Sequence, residues 1–231
     1  MIELRLPTDM AELKLELGDI VGQGQTKAPY FTALLSSKHG LQIQVDNREE
    51  HVTERAPSSG TVLSAFDGQT IYERAINGFR PEQVQTAARE LLQEANFANY
   101  KPPEEEHRRG DFVTPMQIDP AKLSVQEKLD RCRELHRRVK GRHPQIVNTQ
   151  VQYIELSEHS VFASNHADLA QRVQRVRIFL VVIVSGENGQ IQYDWTSKSG
   201  TAGWEVLNFT DEEIQGLVDR ALALLSAERI E

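Results

Sequence analysis

An apolar stripe recurs in this chain at a fixed distance. Val84, Ala87, Ala88, Leu91, Leu92 and Ala95 are spaced for one face of a helix. Ile214, Leu217, Val218, Ala221, Leu222 and Leu225 occupy the same positions 130 residues later. Phe79 and Phe209 precede the stripes at matching positions, and Glu82 and Glu212 mark matching helix starts. Self-similarity at a fixed offset limits the fold before any motif is sought: the chain reads as two copies of one α+β unit.

Each copy reads as helix, hairpin, hairpin, helix, with antiparallel sheets covered by helices on one face. The first, over 1–97, opens with a helix at 8–21 whose N-cap is Thr8 or Asp9, and 22–29 reads as loop. A hairpin then pairs 30–36 with 41–45 around Lys38-His39-Gly40. In 41–45 the alternation of Leu41, Ile43 and Val45 with glutamines marks a half-buried strand. A second hairpin turns at Asp67-Gly68, and a helix over 81–95 closes the unit. Residues 98–123 carry four prolines and the acidic run Glu104, Glu105 and Glu106, and read as an irregular linker. The second copy, over 124–231, starts a helix at Ser124 with the stripe Val125, Leu129, Cys132, Leu135 and Val139. One hairpin follows over 147–163, turning at 157–160, and another joins 173–184 to 191–195 through Asn188-Gly189. Asp211 then caps the last helix, which runs to 227.

Composition removes several function classes. A net charge of −8 argues against general nucleic-acid binding, which needs Lys and Arg to neutralise phosphates. A single cysteine, Cys132, forbids an internal disulfide or a Cys-rich metal site and suits a reducing, cytoplasmic setting. Residues 1–6 lack the apolar core of a signal peptide. The apolar run 178–184 is far too short to span a bilayer and reads as a buried strand, so no membrane partner is expected.

No catalytic constellation emerges. Among seven histidines there is no His-Glu-x-x-His, His159 and His166 read as solvated, and His39 and His51 have no carboxylate partner at ligand spacing, so catalytic, cofactor and metal residues are all expected to be none. Lys198-Ser199-Gly200 matches one motif of penicillin-binding serine acyltransferases, but the Ser-x-x-Lys nucleophile is missing and a polar loop is the better reading. Gly22 to Lys27 has the wrong spacing for a phosphate-binding loop. The cluster Arg131, Arg133, Arg137, Arg138, Lys140 and Arg142 reads as a solvated helix face, partly neutralised by Asp130 and Glu134. Cys132, on the apolar stripe, reads as buried and inert.

The stretch 60–68 (Gly-Thr-Val-Leu-Ser-Ala-Phe-Asp-Gly), followed by Ala75, Phe79 and the Pro81-Glu82 helix entry, resembles the N-terminal region of the TldD/PmbA family, also called the modulator of DNA gyrase family. Later stretches resemble the same pattern in order: 124–135, 150–153 through 163–165, 176–184 and 200–207. The resemblance implies zinc metallopeptidases that cleave unfolded peptides, act in peptide maturation and pair as two related subunits. The family's zinc helix, His-Glu-x-x-x-His, does not occur in this sequence. The resemblance therefore implies an N-terminal, substrate-enclosing and subunit-pairing portion, not catalytic by itself and without its own cofactor, zinc belonging to a C-terminal domain. The partners implied are a related subunit, as homo- or heterodimer, and unfolded peptides. A free-standing peptide- or protein-binding module of the same fold is the alternative. Backbone pairing at a sheet edge would admit varied peptides, and an acidic surface would favour basic ones.

Overall fold

The computed structural model describes residues 4–97, 100–103 and 106–227, so Glu104 and Glu105 of the acidic run lie outside the described residues. Among the described residues the protein is mixed α and β, with four α-helices and a seven-stranded sheet. The elements are α1 (Thr8–Gln25), β1 (Phe31–Val45), β2 (Glu50–Phe66), β3 (Ile71–Asn77), α2 (Pro81–Leu91), β4 (Arg108–Val113), α3 (Val125–Lys140), β5 (Ile146–Ala163), β6 (Ala167–Ser185), β7 (Ile191–Gly200) and α4 (Asp211–Ala223). Strand order is β3-β2-β1-β5-β6-β4, with β7 also paired to β6. The order helix, three strands, helix thus occurs twice.

By contact the chain falls into two compact units, each drawn from three segments. Unit 1 comprises Met1–His39, Ala56–Thr114 and Ser157–Val173; unit 2 comprises Gly40–Arg55, Pro115–Leu156 and Gln174–Glu231. Residues 1–97 and 124–231 therefore each contribute to both units.

In unit 1 the core gathers Met10, Leu13 and Leu17 of α1, Phe31 and Leu35 of β1, Leu63 of β2 and Val84 and Leu91 of α2. In unit 2 it gathers Leu41 and Ile43 of β1, Cys132 and Val139 of α3, Val151 and Tyr153 of β5, Leu180 and Val182 of β6 and Ile214 and Leu217 of α4. The repeated stripe works alike in both: Val84, Ala87, Ala88 and Leu91 are buried in α2, and Ile214, Leu217, Val218 and Ala221 in α4.

Several sequence expectations are corrected. Both first hairpins are single long strands. Gly40, expected in a turn, continues β1, because a Cβ there would stand 2.7 Å from the Glu155 carbonyl oxygen; the glycine answers close backbone approach. The polar run 157–160, also expected to turn, lies inside β5 with Ser157, His159 and Ser160 buried. The true partners are β2, whose first ten residues are all exposed and carry no apolar alternation, and β6. Helix α1 runs to Gln25 through Gly22 and Gly24, since Gly24 packs against the Phe31 ring. Its N-terminus follows Pro7 with no side-chain cap. Within the expected linker, β4 pairs in parallel with β6, Arg108 opposite Ala167 through Val113 opposite Arg172. Thr210, not Asp211, caps α4 through a capping box with Glu213, as Ser124 caps α3 with Glu127. The turns at Gly68 (φ 102°) and Gly189 (φ 76°) fall where the dipeptides placed them.

Candidate functional site

In unit 2 the two faces of the sheet differ sharply. On β6 the alternation sends Ile178, Leu180, Val182 and Val184 into the core, leaving Arg177, Phe179, Val181 and Ile183 on the other face. Antiparallel pairing places Trp195 opposite Val181, Tyr193 opposite Ile183 and Ile191 opposite Ser185, and opposed residues share a face. The intervening β7 residues turn the other way: Asp194 accepts from Arg220 of α4 at 2.7 Å, and Lys198 donates to Glu213 of α4 at 2.7 Å. Trp195, Tyr193 and Ile191 are therefore left 51%, 62% and 64% exposed. Phe179 meets Trp195 with ring centroids 5.2 Å apart, and the Arg177 guanidinium lies 3.8 Å over the Phe179 ring. Beside them a shallow groove of about 330 Å³ is lined by Ile154, Leu156, Arg175, Arg177 and Ser199. A contiguous apolar and aromatic sheet face is the kind of surface that marks a contact site. Among the described residues β7 pairs only with β6, so its outer edge has no strand partner.

On the helix-covered side the buried lysine is paired, whereas the hydroxyl of fully buried Thr149 has no hydrogen-bond partner among the described residues. Lys128 of α3, a buried residue, donates to Glu155 of β5 at 2.7 Å, and the hydroxyl of fully buried Tyr153 donates to the other Glu155 oxygen. Burial raises the Tyr153 phenol above its ordinary range, and the Glu155 charge adds to this. The Cys132 thiol, fully buried, is pushed up to about 12 by burial and is not a nucleophile at neutral pH.

Most of the α3 cations are engaged. Arg133 holds Glu50 through two donors and also meets Asp130. Arg137 pairs with Glu134, and Arg138 and Arg142 both donate to Asp211. Arg131 lies 5.2 Å over the Trp204 ring. Lys198 and Ser199, expected in a loop, stand in β7.

The histidines do not converge on a metal centre. In unit 1, His39 and His159 stack with centroids 6.1 Å apart. His159, expected to be solvated, is 7% exposed. Burial, with Arg172 and His39 adding to it, lowers its pKa to about 4. His51 meets Glu49 at 3.0 Å, and His166 lies beside Ser164 in the β5–β6 turn. Among the described residues no group of three or more His, Cys, Asp and Glu side chains could hold a metal ion, so they offer no donor set for zinc.

Residues 118–228 match the PmbA/TldA metallopeptidase central domain. Over that stretch the chain is similar to the TldD/PmbA family. The chain is 20% identical to a metalloprotease of Synechocystis over 96% of its own length and 49% of that protein. Its fold is similar to that of a protein from Thermotoga maritima designated a modulator of DNA gyrase, with a TM-score of 0.70, 15% identity, and 96% and 50% of the two chains covered. The Bacteroides thetaiotaomicron protein of the same designation gives 0.68, 13%, 98% and 52%. TldE from Thermococcus kodakarensis gives 0.56, 13%, 92% and 47%. The chain thus spans about half the length of the proteins it matches.

Sequence reasoning found the strands of the aromatic face but not the face itself. Its signal was present: Phe179, Val181 and Ile183 alternate with the core residues of β6, and Ile191, Tyr193 and Trp195 with polar residues of β7. Which of the two β7 sets faces the helices is decided by Arg220 and Glu213 of α4, residues far along the chain.

Proposed function

We propose that this chain is the substrate-enclosing and subunit-pairing portion of a TldD/PmbA-like metallopeptidase acting on unfolded peptides, and that it is not catalytic by itself. The observation that carries the reading is the exposed aromatic face of β6 and β7, a contact surface in a chain similar to half of longer family members. The open edge of β7 supports a role in receiving extended chain, because backbone pairing there is indifferent to side-chain identity. The fitting partner is a related TldD/PmbA-type subunit, and zinc would be held outside the residues described. We also infer that the two helix-strand-strand-strand-helix runs are copies of one unit, supported by the same four buried positions in α2 and α4.

The test is peptide hydrolysis by the 231-residue chain with unfolded casein and added zinc. The expected result is retention of casein without cleavage. Turnover that a chelator abolishes would refute the non-catalytic reading.

A further inference from the structure

The unit 2 sheet separates its charges by face. Its strand carboxylates point to the helices: Glu50 to Arg133, Glu155 to Lys128 and Asp194 to Arg220, and Glu54 shares the face of Glu50 by alternation. Strand cations on that side are matched as well, Lys198 to Glu213. The opposite face holds Arg175 and Arg177 beside Ile154 and Leu156. Arg55 joins them, its side chain lying with that of Leu156 over Gly40. His51 also faces this way and meets Glu49 of the preceding turn. Among the described residues, the unit 2 portions of β1, β2, β5, β6 and β7 put no carboxylate on this face; Glu158, two residues beyond Leu156 on β5, belongs to unit 1 and pairs with Lys38 at 3.2 Å. In a chain of net charge −8 this face is cationic and aromatic, against the run of the molecule.

We propose that the open face of the unit 2 sheet docks an acidic, apolar-rich extended segment of a partner polypeptide. Apolar side chains of the segment lie on Phe179, Tyr193 and Trp195, and its carboxylates meet Arg55, Arg175 and Arg177. Guanidinium groups held against apolar and aromatic surface suit carboxylates, because they are weakly hydrated and offer paired donors. A polypeptide fits better than a phosphate-rich surface. The β6–β7 part of the face carries apolar and aromatic side chains that a phosphate-rich surface would leave unused, and the adjacent β7 edge offers main-chain bonds that only another polypeptide can complete. This reverses the preference for basic peptides that the overall charge suggests. It rests on the reading of the face as a contact surface.

The experiment uses the 231-residue chain and two dye-labelled unstructured peptides. They share Phe and Leu positions and differ only in bearing Glu or Lys between them. Anisotropy at low salt should give about tenfold tighter binding of the Glu peptide, a gap that added salt narrows. Trp195→Ser should weaken both peptides alike, which places the site. Arg175→Glu with Arg177→Glu should reverse the preference, with circular dichroism showing that the variant is folded. Preference for the Lys peptide, or a Glu preference unmoved by the double variant, overturns the acidic partner while leaving the face as a contact surface. Binding of neither peptide overturns both readings. Binding of single-stranded DNA or phosphatidylserine vesicles more tightly than the Glu peptide overturns the polypeptide partner.

Discussion

Two ribbons of this sheet are built alike and finished differently. In unit 1, β2 pairs with β3 from Gly60 opposite Asn77 to Phe66 opposite Ile71; in unit 2, β6 pairs with β7 from Val176 opposite Gly200 to Ser185 opposite Ile191. Each ribbon turns at a glycine of positive φ and leads toward a helix with the same buried positions. On the face away from the core the first ribbon shows Ser64, which donates to Glu73 at 2.9 Å, with Val62 and Ala75, and only at its end Phe66, opposite Ile71 and in edge contact with Tyr30 and Tyr100. The second shows Phe179, Trp195 and Tyr193. Folding requires only the core-facing side of such a ribbon, so the other side is free to differ. Its chemistry is where function is to be sought.

The interiors differ as well, and there the largest effect is expected. Unit 2 buries the Lys128–Glu155 pair, with the lysine side chain 5% exposed. Lys128→Met should destabilise the protein by about 3 to 5 kcal/mol in urea unfolding, because it leaves Glu155 as an uncompensated charge. A cost below about 1 kcal/mol would show that Glu155 takes up a proton or reaches water. Next in size, Leu63→Ala in β2 and Leu180→Ala in β6 should each cost about 2 to 5 kcal/mol, since both side chains are fully buried. Similar costs would sharpen the comparison by locating the difference between the ribbons on their open faces.

A third effect belongs to unit 1. His159 has a folded pKa of about 4, below the ordinary 6.5, through burial first and the Arg172 and His39 charges after it. Between those values the unfolded chain binds more protons than the folded one. Its contribution to stability is therefore complete above about pH 6.5 and is lost as pH falls toward 4. Allowing for partial hydration of the ring, about 1 to 2 kcal/mol should disappear over that window. His159→Gln should flatten the dependence, and an unchanged slope would assign the acid sensitivity to other groups.

The cores were legible in the sequence because burial repeats with the period of each element. Leu41, Ile43 and Val45, and the two helix stripes, needed nothing beyond spacing. Strand length was not legible. Gly40 and the polar run 157–160 resemble turns locally, and only the strands on either side, contributed from distant parts of the chain, hold them extended. Strand β4 escaped notice because its six residues, with two arginines and a glycine, have no apolar alternation and depend on β6 for pairing. The aromatic face was hidden for a related reason. Alternation tells which residues share a side but not which side the helices cover.

The smallest effect on stability is also the one that decides whether the ribbons differ in use. Ile71 is 61% exposed on the first ribbon, and Trp195 and Tyr193 are 51% and 62% exposed on the second. Substituting any of these with serine should change stability by no more than about 0.5 kcal/mol, because little buried area is lost. Binding of an apolar reporter dye should separate them. Trp195→Ser and Tyr193→Ser should each lower dye binding, since they interrupt a patch continuous with Phe179 and Ile183, whereas Ile71→Ser, at the end of its ribbon opposite Phe66, trims a smaller patch and should lower it less. Equal losses from both ribbons would mean that exposed apolar area alone governs the response, and the aromatic face of unit 2 would lose its claim to be the contact surface.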